Sequence, residues 1–201
     1  IMVYFTQNFE ERMCPAMLQH KGTVRLESRR LLLRPFEEGD VASIFYHWSN
    51  DDQVTRHLRW QTHPSTMATE KRLAKWLDAY SSKDFYLWGI QRKEDGRLMG
   101  ELRLWTVQPH DRVGEVAYCL GREDWGKGYA AEALQMVIRF AFEQVGFNRI
   151  QAAHSVATPA SGRVLVKAGM EREGRCRQLY LSNVGYEDCD LYAVLRKDWE
   201  L

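Results

Sequence analysis

Apolar residues recur along this chain with two different periods, one typical of strands and the other of helices. Short apolar runs bounded by turn residues predict strands, and apolar positions three and four residues apart predict helices that bury one face. The clearest helix carries an apolar stripe from Ala130 to Val145 and is closed by Gly146. Further helices are predicted within 41–48, 73–80 and 159–168, and strands over 31–36, 85–92, 97–107, 113–120, 149–156 and 189–195.

Capping and turn residues mark several of these boundaries. Asp40 and Thr158 stand where helix caps are expected, and Pro159 suits a first helical position. Residues 94–96, Glu-Asp-Gly, predict a hairpin turn. Because both hairpins and crossovers occur, the chain is predicted to be an α/β (α+β) protein whose mixed sheet has helices on both faces.

Length and composition suit one large domain, with or without an extension. The chain has 201 residues and a net charge of +1, which gives no reason to expect nucleic acid or a membrane surface as a partner. Residues 1–22 show no clear period and are predicted to be an N-terminal extension, of which 1–16 are poorly tied to the core. Met17 begins a stretch that reads as a natural start, and 23–201 form the domain.

Cysteine and histidine usage indicates neither a disulfide framework nor a metal site. The four cysteines form no C-x-x-C pair, and the six histidines form no H-x-x-x-H pattern. No apolar run reaches the ~18 residues needed to span a bilayer, and no signal peptide is apparent. We therefore expect a cytoplasmic protein with free thiols and no metal.

A glycine-bearing turn lies between a predicted strand and the clearest helix. It reads Trp125, Gly126, Lys127, Gly128, Tyr129. Glycine lets backbone approach a ligand closely, and the unpaired N–H groups of a first helical turn favour phosphate. The same turn also fits a junction without a ligand, and it has neither P-loop nor Rossmann spacing.

Two longer motifs resemble the GNAT superfamily of N-acetyltransferases, and more narrowly its ribosomal-protein N-terminal (alanine/serine) acetyltransferase branch. The first motif covers 115–121 and 125–133, and the second covers 158–165, with 167–170 and 173–174 after it. The resemblance extends over roughly residues 24–199. It implies a GNAT fold with a mixed, mostly antiparallel sheet of about seven strands, in which the fourth strand splays from the fifth.

The resemblance also implies acetyl-CoA as the acetyl donor and cosubstrate. The pantetheine arm would enter the gap between the splayed strands and pair with backbone near Tyr118, Cys119 and Leu120. The pyrophosphate would rest on the backbone amides of Trp125, Gly126, Lys127, Gly128, Tyr129 and Ala130. Two positions depart from the family pattern: Glu123 stands where Gln or Arg is usual, and Thr158 replaces an Asn that contacts the cofactor arm.

Three groups are candidates for the chemistry of acetyl transfer. Glu115 is the candidate base, directly or through water, with a structural carboxylate as the other interpretation and Glu101 as its rival. A backbone N–H near Cys119 or Leu120 would polarise the carbonyl. Ser161 aligns with the serine that the branch it resembles uses near the departing sulfur, with a first-turn helix serine bonded to nearby backbone as the other interpretation. The position of a tyrosine common elsewhere in the superfamily holds a leucine, Leu165.

Cys119 is not expected to form an acetyl-enzyme, because no histidine adjoins it in sequence. The resemblance therefore implies direct attack in a ternary complex.

The acceptor is expected to be a primary amine, either the α-amine of a protein such as a ribosomal protein or a small molecule such as a polyamine or aminoglycoside. The variable region around 50–66, with His57, Trp60 and His63, would shape its pocket, and Trp105 is a further contributor. A non-catalytic coenzyme A-binding or sensing domain and a nucleotide-phosphate module are the alternatives. Homodimers are common in the branch that the chain resembles.

Overall fold

The computed structural model describes residues 17–199. Its strands are β1 (Leu26–Glu27), β2 (Leu31–Arg34), β3 (Tyr86–Arg92), β4 (Leu98–Gln108), β5 (Val113–Leu120), β6 (Arg149–Ser155), β7 (Glu171–Ser182) and β8 (Gly185–Leu195). Its helices are α1 (Val41–Ile44), α2 (Asp52–Thr55), α3 (Thr66–Ala79), α4 (Tyr129–Phe140), α5 (Pro159–Lys167) and α6 (Arg196–Trp199). Wider turns of π-helix, Phe45–Ser49 and Ala141–Val145, continue α1 and α4.

Within the described residues, eight strands form one sheet in the order β1-β2-β3-β4-β5-β6-β8-β7. Every neighbouring pair is antiparallel except β5 and β6, which are parallel and are joined by the crossover through α4. The prediction of a mixed and mostly antiparallel sheet is therefore confirmed, with eight strands where about seven were expected.

Two apolar clusters cover the two faces of this sheet. The larger one joins α4, through residues such as Leu134 and Ile138, to strand residues such as Val116. The smaller one joins α1 and α3 to the opposite face and includes Cys119. Val116 and Cys119 fall on different faces because side chains alternate along a strand. Helices on both faces were predicted, and this is confirmed.

Four elements were not predicted from the sequence: β1, α2, β7 and α6, the last of which has 4 residues. β1 and α2 are only 2 and 4 residues long, too short to show a period. β7 is 12 residues long, but its first half is charged and most of its side chains face solvent. As the edge strand it is held by backbone pairing to β8, and charges on such a strand discourage pairing with another chain. The strand predicted over 189–195 is the last part of β8.

Asp40 does not cap α1, so that prediction is wrong. No side-chain hydrogen bond caps this helix. The Asp40 carboxylate instead receives two hydrogen bonds from the buried Arg34 guanidinium, at 2.7 and 2.8 Å, and one from the Glu37 amide at 2.8 Å. A bidentate buried cation is a stronger partner than a helix amide, which explains the difference.

Residues just before the predicted domain boundary lie against the domain. The Gln19 amide donates to the Val145 carbonyl at 2.8 Å, and the Gly22 amide donates to the Lys83 carbonyl at 2.7 Å. Residues 1–16, predicted to be loosely tied, lie outside the described part of the chain.

Candidate active site

β5 and β6 separate soon after they meet. Their parallel pairing covers only three registers and ends at Glu115 opposite Gln151. Beyond that point β5 stays paired to β4 as far as Leu120, while β6 stays paired to β8 as far as Ser155. The five steps from Glu115 to Leu120 extend roughly 16 Å along the strand. The predicted splay is confirmed, and it leaves a wedge-shaped gap that narrows at Glu115.

Backbone groups of alternate β5 residues face this gap. The Gly121 amide donates to the Met99 carbonyl on β4 at 2.8 Å, which sets the phase of the antiparallel ladder. Because bonding direction alternates, Cys119 also directs its backbone to β4, and Tyr118 and Leu120 direct theirs into the gap. The Leu120 carbonyl already accepts the Trp125 indole N–H at 2.7 Å. The geometry thus favours Tyr118 and Leu120 over Cys119 as the backbone that meets a ligand.

The turn into α4 leaves the first amides of the helix open. Gly126 and Gly128 have φ values of 74° and 82°, a left-handed conformation that suits glycine. No side chain caps the helix, and the Glu132 amide, which donates to the Gly128 carbonyl at 3.2 Å, begins its backbone bonding. The amides before Glu132 make no helical hydrogen bond, and together with the helix dipole they favour an anion at this end.

Ion pairs of Glu123 and Asp124 hold the start of the turn that leads into α4. The Asp124 carboxylate is buried and lies 3.5 Å from an Arg92 nitrogen, 3.7 Å from Arg97 and 3.8 Å from the Lys127 ammonium. Glu123 pairs with Arg97 at 2.7 Å. Lys127 is thus directed towards Asp124, and the acidic residue at position 123 is neutralised by a neighbour.

The comparisons with known proteins agree with this geometry. The chain matches the acetyltransferase (GNAT) domain over residues 30–171. It belongs to the GNAT acetyltransferase family. It is 30% identical over 171 residues to the uncharacterized N-acetyltransferase YoaA of Bacillus subtilis (strain 168), covering 85% of this chain and 96% of that protein.

Two further relatives carry more specific names. The ribosomal-protein-serine acetyltransferase of Escherichia coli (strain K12) is 30% identical over 101 residues, 50% of this chain and 56% of that protein. The crystal structure of a ribosomal-protein-S5-alanine acetyltransferase from Vibrio fischeri superposes with a TM-score of 0.75 at 21% identity, covering 88% of this chain and 98% of that one. This structural likeness supports the fold.

One cleft of about 1070 Å³ brings the predicted site residues of this N-acetyltransferase together. Lys127 does not line it, and neither do Glu101, Trp60 and His63, which were also named from the sequence. The lining includes Glu115, Tyr118, Cys119, Leu120, Trp125, Gly126, Gly128, Tyr129, Ala130, Thr158 and Ser161.

The two candidate bases have different surroundings. Glu115 is half-buried at the narrow end of the gap, and its carboxylate accepts a hydrogen bond from the Gln151 side chain at 2.9 Å. It lies on a central strand, not on an edge. Glu101 is buried and pairs with Arg72 at 2.9 Å, while Arg72 also stacks on Trp60 at 4.0 Å. Glu101 is therefore engaged in packing beneath α3, and Glu115 is the one that faces the cleft.

The first turn of α5 lies across the gap from β5. The Tyr118 hydroxyl donates to the Ser161 carbonyl at 3.1 Å, and burial raises the pKa of this phenol so that it keeps its proton. A hydrogen bond with the Ser161 side chain acts against the effect of burial on this pKa. Thr158 occupies the cap position, but its hydroxyl donates to the Ser155 carbonyl at 2.9 Å and makes no cap, so the side-chain cap predicted there is wrong.

Cys119 is poorly suited to act as a nucleophile. Its side chain is buried in the smaller core, and burial, helped by the nearby Glu101 carboxylate, raises its pKa well above the ordinary value. A thiol reacts through its thiolate, so this environment suppresses reactivity. Leu165 is buried in the larger core and has no polar group to offer.

A polar cluster that the sequence did not reveal lies beside another part of the cleft, which its members His57 and Ser155 line. Glu187 on β8 accepts hydrogen bonds from His57, Ser155 and Ser182. Its partners are 130, 32 and 5 residues away in sequence, so no local motif announces the cluster.

His63, also expected near the acceptor pocket, is instead packed against neighbours. Its Nδ1 contacts the Thr69 hydroxyl at 2.8 Å, and burial, with the charge of Arg72, lowers its pKa to about 4. Among the described residues no group of three or more His, Cys, Asp or Glu could hold a metal. None of the described helices is long and apolar enough to cross a membrane.

Proposed function

We propose that this enzyme transfers the acetyl group of acetyl-CoA to a primary amine by direct attack in a ternary complex, and that the amine is the N-terminal α-amine of a protein. The observation that carries the proposal is the union, in one cleft, of an uncapped helix N-terminus and a gap between parting strands. The first feature suits a pyrophosphate, and the second exposes backbone groups to an extended amide-bearing arm.

In the proposed complex the pyrophosphate lies on the amides of the turn from Trp125 to Ala130. The pantetheine arm then runs along β5, where Tyr118 and Leu120 offer backbone hydrogen bonds. Leu120 lies five steps, or roughly 16 Å, along the strand from Glu115, so an extended arm would bring the thioester towards the narrow end of the gap. This places the reacting carbonyl near the Glu115 carboxylate.

The chemistry needs a proton acceptor, carbonyl polarisation and a leaving thiolate. Glu115 is the proposed base for the attacking nitrogen, directly or through a water, because it faces the cleft and is oriented by Gln151. A gap-facing backbone N–H would polarise the thioester carbonyl. The Ser161 hydroxyl, at the first turn of α5, would donate to the departing sulfur.

The charge of the cleft favours a protein N-terminus over a polycation. Arg56, Arg59 and Arg163 line it, whereas the acidic lining residues among those described are Glu115 and the buried Asp124. Polyamines and aminoglycosides carry several positive charges, and such a surface repels them. An α-amine with peptide carbonyls behind it brings a single charge and several acceptors for arginine. The names of the ribosomal-protein acetyltransferase relatives agree with this choice.

The test is an acetylation screen of the purified enzyme with acetyl-CoA against N-terminal peptides, polyamines and aminoglycosides. Turnover on peptides, with free thiol released in equal amounts, is the expected result. Preference for a polyamine or aminoglycoside would move the acceptor to that class. Coenzyme A binding without turnover on any amine would favour a sensing domain, and calorimetric binding of ATP in preference to coenzyme A would favour a nucleotide-phosphate module.

A further inference from the structure

His57 and Glu187 form a hydrogen-bonded pair beside the cleft. The His57 Nδ1 lies 2.7 Å from one Glu187 oxygen, and the Ser155 hydroxyl donates to the other at 2.6 Å. The Ser155 oxygen also accepts the Ala157 amide at 3.1 Å, which leaves its own proton for Glu187. Burial alone raises the pKa of Glu187, but the hydrogen bonds from Ser155, His57 and Ser182 outweigh it and lower the pKa overall. Glu187 is therefore an ionised acceptor.

An ionised partner determines which imidazole nitrogen carries the proton. A carboxylate only accepts hydrogen bonds, so His57 must donate to Glu187 through Nδ1–H. In neutral His57 the other nitrogen, Nε2, is then a bare lone pair. This is the arrangement in which a carboxylate orients a histidine for general-base work. The His57 side chain is 22% exposed and lines the cleft, whereas Glu187 is 9% exposed behind it.

The turn after α2 that carries His57 is held rigidly by the β7–β8 hairpin. The Asn183 amide group donates to the Thr55 and Trp60 carbonyls, both at 2.9 Å. The Tyr180 hydroxyl donates to the His57 carbonyl itself at 3.2 Å. Three side-chain contacts therefore fix the turn on either side of the imidazole, as a pre-organised site requires.

We propose that His57 is a catalytic residue that takes the first proton from the acceptor ammonium, with Glu187 as its positioning residue. This inference rests on the proposed function. Nε2 removes one proton from the ammonium and later releases it to solvent. The freed amine forms a C–N bond with the thioester carbonyl carbon, and a second proton passes from that nitrogen to Glu115. The C–S bond then breaks, and the departing sulfur takes up that second proton.

Several polar groups surround His57. Glu187 on β8 contacts the imidazole, and the Tyr180 hydroxyl on β7 contacts the His57 carbonyl. Arg56 and Arg59 lie on the same turn, with the Arg59 guanidinium 5.6 Å from the centre of the Tyr180 ring. Glu187 is the one carboxylate among these neighbours, and it already accepts the Nδ1–H of His57. None of the other named neighbours is a carboxylate that would compete with Nε2 for the ammonium proton.

The kinetic test compares His57→Asn with the wild type on the best peptide acceptor. Asparagine can still donate to Glu187 but has no basic nitrogen. General-base catalysis is worth about 100- to 10,000-fold, so we expect kcat to fall at least about 100-fold while the Kd for acetyl-CoA stays unchanged. His110→Asn, on the exposed turn between β4 and β5, is the matched control and should leave both values unchanged. Added imidazole should partly restore His57→Ala.

Glu187→Gln tests the positioning role. It should lower kcat, shift the acidic limb of the pH profile, and add nothing to His57→Asn in the double variant, because both changes disable the same unit. Nitrogen NMR of the full-length free enzyme should show His57 protonated at Nδ1, and Glu187→Gln should weaken that preference. This readout does not depend on turnover or on which variant folds best.

The outcomes separate this inference from the function on which it rests. A wild type that acetylates peptides, together with His57→Asn within threefold of its kcat, overturns the role of His57 and leaves the acetyltransferase intact. A His57 protonated at Nε2 also overturns it. A wild type without turnover on any amine overturns the proposed function and this inference together.

Discussion

Gly128→Asp is the most direct probe of the proposed pyrophosphate site. Gly128 has a φ of 82° and stands at the cap position of α4, where the open amides begin. An added Cβ would have free space around it, since its nearest neighbour is an Arg30 nitrogen at 3.6 Å that already serves Glu132. The substitution therefore places a carboxylate at the helix end without forcing the fold apart.

The expected loss of affinity follows from strain and charge. A residue with a side chain in the left-handed conformation costs about 1–2 kcal/mol of stability, which acts on folding and not on the ligand. A carboxylate about 5 Å from one diphosphate charge is repelled by about 0.8 kcal/mol in bulk water and about 3 kcal/mol at an effective dielectric constant of 20. We expect acetyl-CoA binding to weaken at least tenfold, or about 1.4 kcal/mol.

Calorimetric titration of acetyl-CoA into Gly128→Asp, Gly128→Asn and wild type isolates the charge. Asparagine has the same shape and tolerates positive φ, so it carries the strain without the repulsion. The difference between the two variants should shrink as salt rises, because exposed charges are screened. Equal Kd values for Gly128→Asp and wild type at low salt would refute the placement of the pyrophosphate on this turn.

Four further predictions concern the cleft and the stability of the fold. Glu115→Gln should lower kcat at least tenfold with little change in the Kd for acetyl-CoA, and a comparable loss in Glu101→Gln instead would move the base to that residue. Cys119→Ala should keep most of its turnover and show no covalent acetyl adduct by mass spectrometry, since the thiol is buried with a raised pKa. Asp40→Ala should lower the urea-derived free energy of unfolding by about 3–5 kcal/mol, because it leaves a buried arginine unpaired; a loss below about 1 kcal/mol would contradict this. The pKa of Glu187 is lower in the folded state than its ordinary 4.5, so its contribution to stability should be complete above that pH and fade as pH falls through the lowered value, which urea titrations of wild type and Glu187→Gln would reveal.

The cofactor half of the site was predictable because its determinants are local. Gly126 and Gly128 must adopt positive φ, and the apolar stripe that begins at Ala130 fixes where the helix starts. A turn followed by an amphipathic helix can be recognised from about twenty consecutive residues, because all of its determinants lie within that stretch. The splay of β5 from β6 was accessible only through the family resemblance, because the absence of pairing leaves no mark in either strand's pattern.

The acceptor half was predicted only in part: His57 and Trp105 were named and line the cleft, but the contacts that hold His57 are remote in sequence. His57 and Glu187 are in contact but lie 130 residues apart in the sequence. Glu187 lies on a strand whose partner, β7, is charged and exposed, so neither strand shows the alternation that would place its polar residues inward. In the sequence His57 has the features of an ordinary loop residue, because its partner Glu187 lies on the distant β7–β8 hairpin.

The donor and acceptor halves of the site differ in how easily their binding could be changed by substitution. In the proposed complex the donor is held mainly by backbone amides, which would tolerate substitutions such as those at Glu123 and Thr158. The acceptor would be met by side chains on the 55–60 turn and on the β7–β8 hairpin, two segments that contact one another through Asn183, Tyr180 and Glu187. A change in either partner therefore alters the pocket only if the other accommodates it. Exchanging the turn and the hairpin together between relatives should transfer acceptor preference, while exchanging one alone should lose turnover and leave acetyl-CoA affinity intact.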